Sequence, residues 1–133
     1  MSTVSYQTNP PLTDAALNDL FARAWPGHHA RTFIPVLAAS IAFVAAFVED
    51  RLIGFVNIAS DGGAHAFLLD PTVDTEYQRR GIGTTLVHIA ADLARARGCE
   101  WLHVDYEPRL AAFYEQAGFI ASAAGVMHLD RTG

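Results

Sequence analysis

The sequence contains no lysine: all nine of its cations are arginine. That excludes lysine Schiff-base chemistry and a P-loop lysine. Genomic base composition, which trades lysine for arginine, is the simplest cause of the bias. Cysteine is nearly absent as well. Cys99 stands alone, so no internal disulfide can form, and no Cys/His cluster has zinc spacing. No metal is expected. Long apolar runs are also missing, since the longest, Ile41 to Val48, is far too short to span a bilayer. The N-terminus, Met1-Ser2-Thr3-Val4, has neither a basic flank nor an apolar signal-peptide core. A reducing cytoplasm is the expected setting. Cations are outnumbered by fourteen carboxylates, for a net charge of −5. An acidic chain without a basic stripe is a poor partner for nucleic acid, and nothing here suits a membrane.

What is present suffices for one domain. The 133 residues are 51% apolar and 17% charged, which excludes a disordered chain. No repeat, low-complexity stretch or linker divides residues 1–133.

Val4 to Thr8 reads as a short strand closed by Asn9-Pro10-Pro11. Thr13 is a good N-cap for a helix carrying Leu17, Leu20, Phe21 and Ala24, with Asp14 in its first turn and Pro26-Gly27 as its stop. His28 to Ser40 reads as a loop with one short helical stretch, because Pro35 interrupts any longer helix. Ile41 to Phe47 and Leu52 to Ala59 form a hairpin, turned by Glu49-Asp50-Arg51. Asp61-Gly62-Gly63 leads to a third strand, Ala64 to Val73, in which Pro71 predicts a bulge or splay. Gly81 to Arg97 is the clearest helix. Its stripe is Ile82, Leu86, Ile89, Ala90 and Leu93, and Gly98 ends it. A strand from Trp101 to Tyr106, a short helix from Arg109 to Gln116 and a last strand or hairpin within Ile120 to Leu129 follow. The fold class is α/β in the α+β sense: a mixed, mostly antiparallel sheet with helices on both faces.

The stretch Gln78-Arg79-Arg80-Gly81-Ile82-Gly83-Thr84 lies where a strand gives way to the long helix. Glycines at 81 and 83 permit close backbone approach to a ligand. Free N–H groups of the first helical turn, backed by the helix dipole and by Arg79 and Arg80, make a pyrophosphate cradle. A dinucleotide fingerprint would need a third glycine where Leu86 stands, and a Walker A loop needs the lysine this chain lacks. A general nucleotide-phosphate binder stays open as a weaker reading, and coenzyme A is a third kind of ligand that could use such a cradle.

Here the chain resembles the GCN5-related N-acetyltransferase superfamily. Gln78, Gly81 and Gly83 match its acyl-CoA signature, Gln/Arg-x-x-Gly-x-Gly/Ala. The likeness extends from Phe67-Leu68-Leu69-Asp70-Pro71 to Phe113-Tyr114-Glu115-Gln116-Ala117-Gly118-Phe119. It implies a splayed pair of parallel strands that admits the pantetheine arm, and acetyl-CoA as co-substrate. An N–H near Val73, at the strand end Pro71-Thr72-Val73, would polarise the thioester carbonyl. The amides of Arg79 to Thr84 would hold the pyrophosphate. Tyr114 would be general acid to the leaving thiolate, the alternative being a core tyrosine beside Phe113.

For the general base, Trp101, His103 and Asp105 alternate onto one strand face. His103 lies at about the position where some relatives carry a glutamate base, and it is weighed evenly against a structural histidine. Glu107 and Asp70 follow, with His65 expected farther from the gap and His28 and His29 in a loop bordering the acceptor site. The asparagine that many relatives carry before the tyrosine is missing from Tyr106-Glu107-Pro108-Arg109. The implied activity is transfer of acetyl from acetyl-CoA to a primary amine, on a small molecule or a peptide. A non-catalytic acyl-CoA-binding module is the alternative, and an apolar C-terminal strand would suit a homodimer.

Overall fold

A computed structural model describes residues 3–130. Its core is a five-stranded sheet whose spatial order follows the chain: β1 (Val4–Thr8), β2 (Ala42–Val48), β3 (Arg51–Ser60), β4 (His65–Val73) and β5 (Trp101–Val104). The first four strands pair antiparallel and β5 pairs parallel to β4. Among the described residues four α-helices complete it: α1 (Asp14–Ala24), α2 (Ile34–Ala39), α3 (Ile82–Ala96) and α4 (Ala111–Gln116).

Local chemistry explains the boundaries. Thr13 caps α1, its hydroxyl accepting from the Ala16 N–H at 3.1 Å. Pro35 sits in the first turn of α2, where its missing N–H costs nothing. Gly98, at φ +85°, supplies the left-handed residue that ends α3.

The sheet is covered unequally. Residues two apart share a face of a strand, and β2 shows the division. Val44, Ala46 and Val48 join Val56, Ile58, Ala66 and Leu68 in the larger core beneath α3. Ala45, with Leu52 and Phe55 of β3, packs on the other face against Leu17, Leu20 and Phe21 of α1 and against Phe33. The buried stripe of α3 is Ile82, Leu86, Val87, Ala90 and Ala94, whereas Ile89 and Leu93 are only half-buried. Gly54 lets the helix approach, because a Cβ there would lie 3.1 Å from Leu86 Cδ1 and 3.2 Å from Ala46 Cβ.

Two expected elements end differently. The strand from Trp101 stops at Val104 rather than Tyr106. Residues 120–128 form no strand or hairpin: Ile120, Val126 and Met127 are more than 80% exposed. Their alanine- and glycine-rich sequence offers too little apolar surface to hold a strand on this sheet.

Gly54→Val should destabilise the fold by about 1–3 kcal/mol, because β2 and α3 must both give way. Chemical denaturation would show this as a lower midpoint with an unchanged slope.

Candidate active site

The site forms where β4 and β5 part. Their ladder runs from His65↔Trp101 to Leu68↔Val104 and then ends, while β4 continues to Val73. The bulge expected from Pro71 is present. Asn57 pairs with Leu69 and Phe55 with Thr72, so Asp70 and Pro71 together face a single residue of β3. Asp70 adopts a left-handed φ of 54°, a strained conformation for a non-glycine residue. Its carbonyl accepts from Thr72 Oγ1 at 3.0 Å, and its Oδ2 accepts from the amide of buried Asn57 at 3.0 Å. Between Leu69 and Val73 the strand therefore presents backbone groups to an open gap.

Immediately beyond lies Asp74, which sequence reasoning missed. It is wholly buried, and its carboxylate accepts from Arg23 Nε at 2.6 Å and from the Glu76 N–H at 3.0 Å. Arg51 stands 3.6 Å away. Burial pushes its pKa up. The Glu76 N–H, the Arg23 hydrogen bond and charge, and the Arg51 charge outweigh that and hold it below the ordinary 3.8. Asp74 thus ties the end of β4 to α1 and β3. Its only sequence signal was an acidic residue just before a turn.

The loop after Asp74 returns on itself. Gln78 Nε2 donates to the Val73 carbonyl at 3.0 Å, so this side chain shapes the loop. Arg79 and Gly81 take left-handed φ values of 65° and 81°, a backbone that curls its N–H groups into a concavity. Gly81 caps α3 without a side-chain bond, and nothing lies within 4 Å of a Cβ placed there. The N–H groups of Ile82, Gly83 and Thr84 open the helix and have no intrahelical partner. Arg79 and Arg80 are exposed and form no ion pair among the described residues, and the Arg80 guanidinium lies over Tyr77.

Gly83 serves a purpose the sequence did not reveal. A Cβ there would lie 3.2 Å from Phe113 Cζ and 3.8 Å from Val73 Cγ2. It lets α4 pack close against the start of α3. Thr72 is likewise committed, its buried hydroxyl accepting from Trp25 Nε1 at 3.0 Å. Only the backbone of Thr72 remains available to a ligand.

Phe113-Tyr114-Glu115-Gln116-Ala117-Gly118-Phe119 is one packing unit. Gly118, at φ 111°, follows the end of α4, and Phe119 folds back with its N–H donating to the Tyr114 carbonyl. The Tyr114 ring stacks on Tyr106 at 4.8 Å and meets Phe113 and Phe119 edge-on. The residue is 3% exposed, and burial raises its pKa above 10. The phenol therefore stays protonated and able to donate. Its hydroxyl makes no hydrogen bond to another described residue, yet it is not sealed off from the surface.

His103 points to the opposite face. Leu102 and Val104 turn toward the α3 core, while His103 shares the far side with Phe67, stacked on it at 4.7 Å, and with His65. Among the described residues no helix packs over this part of the sheet, and an open groove of about 790 Å³ lies there, lined in part by residues between Phe119 and Val126. The gap thus separates Tyr114 on one face from His103 on the other. Glu107 is paired with Arg109 at 2.8 Å, away from either residue's contacts. His28 is tied to Asn18 at 2.9 Å, and His29 is exposed. Arg31, stacked on Phe33, reaches within 3.9 Å of Asp70. Among the described residues no group of three His, Cys, Asp or Glu could hold a metal, and no helix is long and apolar enough to cross a membrane.

Comparison with known proteins adds the following. A family model described as "Acetyltransferase (GNAT) family" matches residues 14–119. An uncharacterized N-acetyltransferase of Pyropia yezoensis is 29% identical over 78 residues, covering 59% of this chain and 45% of that one. The chain spans less than half the length of the curated relatives it matches. A GNAT family acetyltransferase from Streptococcus pneumoniae has the same fold at a TM-score of 0.83 and 20% identity, over 98% of this chain and 100% of that one. An aminoglycoside N-acetyltransferase in complex with CoA matches at a TM-score of 0.75 and 17% identity, over 99% and 97%.

The Asp74 anchor gives a pH prediction. Its depressed pKa contributes stability above the unfolded value near 3.8, and that contribution disappears as pH falls through the lower folded value. Asp74→Asn should cost about 1–3 kcal/mol at pH 7 and should flatten this part of the acid-unfolding curve.

Proposed function

The chain belongs to the acetyltransferase (GNAT) family, and from that premise we propose that it transfers acetyl from acetyl-CoA to a primary amine by direct attack. The observation that carries this reading is the uncapped start of α3 beside the break between β4 and β5. The amides of Arg79 to Thr84 cradle the pyrophosphate, with Arg79 and Arg80 adding charge. The Thr72–Val73 backbone receives the pantetheine arm, and a Val73 N–H polarises the thioester carbonyl. Acetyl-CoA is a co-substrate, consumed in each turnover.

In this reading the amine nitrogen attacks the carbonyl carbon and the C–S bond breaks. Tyr114 protonates the departing thiolate, a role supported by its burial and protonated state. His103 takes the proton that the amine loses, which its place on the bare face beside the gap supports. The acceptor is an amine on a small molecule or a peptide. We place the protein in the reducing cytoplasm, where its single, half-buried Cys99 needs no partner. We also propose a homodimer. Among the described residues β5 has β4 as its single strand partner, and the exposed apolar residues of 120–129 are suited to a second copy.

Thermal unfolding with acetyl-CoA, and with ATP and NAD as controls, tests the cradle. Ligand at one hundred times its dissociation constant should add about 2.7 kcal/mol of stability, for the CoA forms alone. Turnover is then read by free-thiol release with spermidine, kanamycin and a lysine peptide. Tyr114→Phe should lower kcat about a hundredfold or more while leaving acetyl-CoA affinity intact. An unchanged rate would remove the general-acid role, and binding without turnover would favour an acyl-CoA-binding module. Sedimentation equilibrium should give twice the chain mass, and a monomer would dismiss the dimer.

A further inference from the structure

Two imidazoles meet on the uncovered face of the sheet. His65 opens β4 and His103 is the third residue of β5, and the parallel register places both on one side, with Phe67 opposite His103. His65 Nδ1 stands 2.8 Å from His103 Nε2. The ring centroids are 5.0 Å apart, and Phe67 stacks on the other ring at 4.7 Å. His103, though exposed, therefore lies between a stacked ring and a hydrogen-bond partner.

A nitrogen–nitrogen contact this short holds one hydrogen. Two lone pairs would repel, and so would two N–H groups. Two arrangements satisfy it, and they differ chemically. If His65 donates, neutral His103 carries its proton on Nδ1 and has no free lone pair to offer. If His103 donates through Nε2, its Nδ1 lone pair is free and can accept a proton.

Resting on the reading of His103 as the base, we propose that His65 is a positioning residue that selects this second tautomer and stabilises the imidazolium formed in turnover. The amine forms an N–C bond to the acetyl carbon, and its surplus proton forms a bond to His103 Nδ1. The C–S bond breaks, and its electron pair takes the Tyr114 proton. His103 then donates a charge-assisted Nε2–H hydrogen bond to the lone pair of His65 Nδ1. Release of the imidazolium proton to water, and uptake of one by the Tyr114 oxygen, restore the start. Phe67 and Trp101 flank the pair, Asp105 lines the same groove, and the charge of His65 is felt by Asp61, but the group in hydrogen-bond contact with this Nε2 is His65.

The test joins a spectroscopic readout to a kinetic one. Ring ¹⁵N NMR of the whole chain should show His103 protonated at Nε2 and bare at Nδ1. His65→Phe, which keeps a ring but removes the acceptor, should abolish that preference. With acetyl-CoA and the fastest of the three amines, it should lower kcat about tenfold with little change in the KM for acetyl-CoA. His65→Asn, which restores an acceptor oxygen, should recover part of the loss. A His103 protonated at Nδ1 overturns the proposal, as does full kcat in His65→Phe when His103→Gln is impaired. Full kcat in His103→Gln instead overturns the base reading itself, and circular dichroism of each variant separates these outcomes from misfolding.

Discussion

The early end of pairing between β4 and β5 is the constraint on which the rest of the molecule depends. A parallel ladder would normally run the length of both strands and satisfy every backbone group. Here it stops after Leu68 and Val104. Asp70 turns left-handed, and Pro71, which has no N–H to give a ladder, follows it. A left-handed non-glycine residue costs about 1–3 kcal/mol. Asn57, Thr72 and Trp25 offset that by hydrogen bonds that hold the bulge from behind. The result is a strand segment that is rigid yet open along one edge, between two faces of different character.

What surrounds the gap can be understood as its support. Asp74 fastens the end of the strand through Arg23 to α1. Gln78 folds the following loop back onto Val73. The aromatic cluster around Tyr114 closes one face, whereas the other is left without a helix. Rigidity is concentrated around the end of β4 and the loop that follows it.

Much of the fold was legible because its signals are local. Thr13, Pro26-Gly27 and Gly98 mark helix ends by their own conformational preferences, and Pro71 announced the bulge. The start of α3 was readable because Gly81 stands just before a helical apolar stripe. Long-range partners were not readable. Nothing near Asp74 in sequence points to Arg23, fifty-one residues earlier. The hydrogen bond between His65 and His103 spans thirty-eight residues and depends on a strand register that periodicity cannot supply. The packing of Gly83 was hidden for the same reason: its neighbour Phe113 arrives only when α4 folds back. The expected last strand failed because a segment rich in alanine carries too little apolar area to hold one on the sheet.

The contact between Gly83 and Phe113 has a consequence for how such a chain could diversify. A side chain at 83 would displace an aromatic ring, and that ring adjoins Tyr114. The loop and the short helix are thus meshed like gear teeth, and neither can be altered alone. Across the sheet, Phe67, Leu69 and Trp101 are partly exposed with no helix packed over them. Substitutions there disturb no core. The architecture confines change to one face: the side of Gly83 and Phe113 is locked by its own packing, and the side of Phe67, Leu69 and Trp101 can vary at little structural risk.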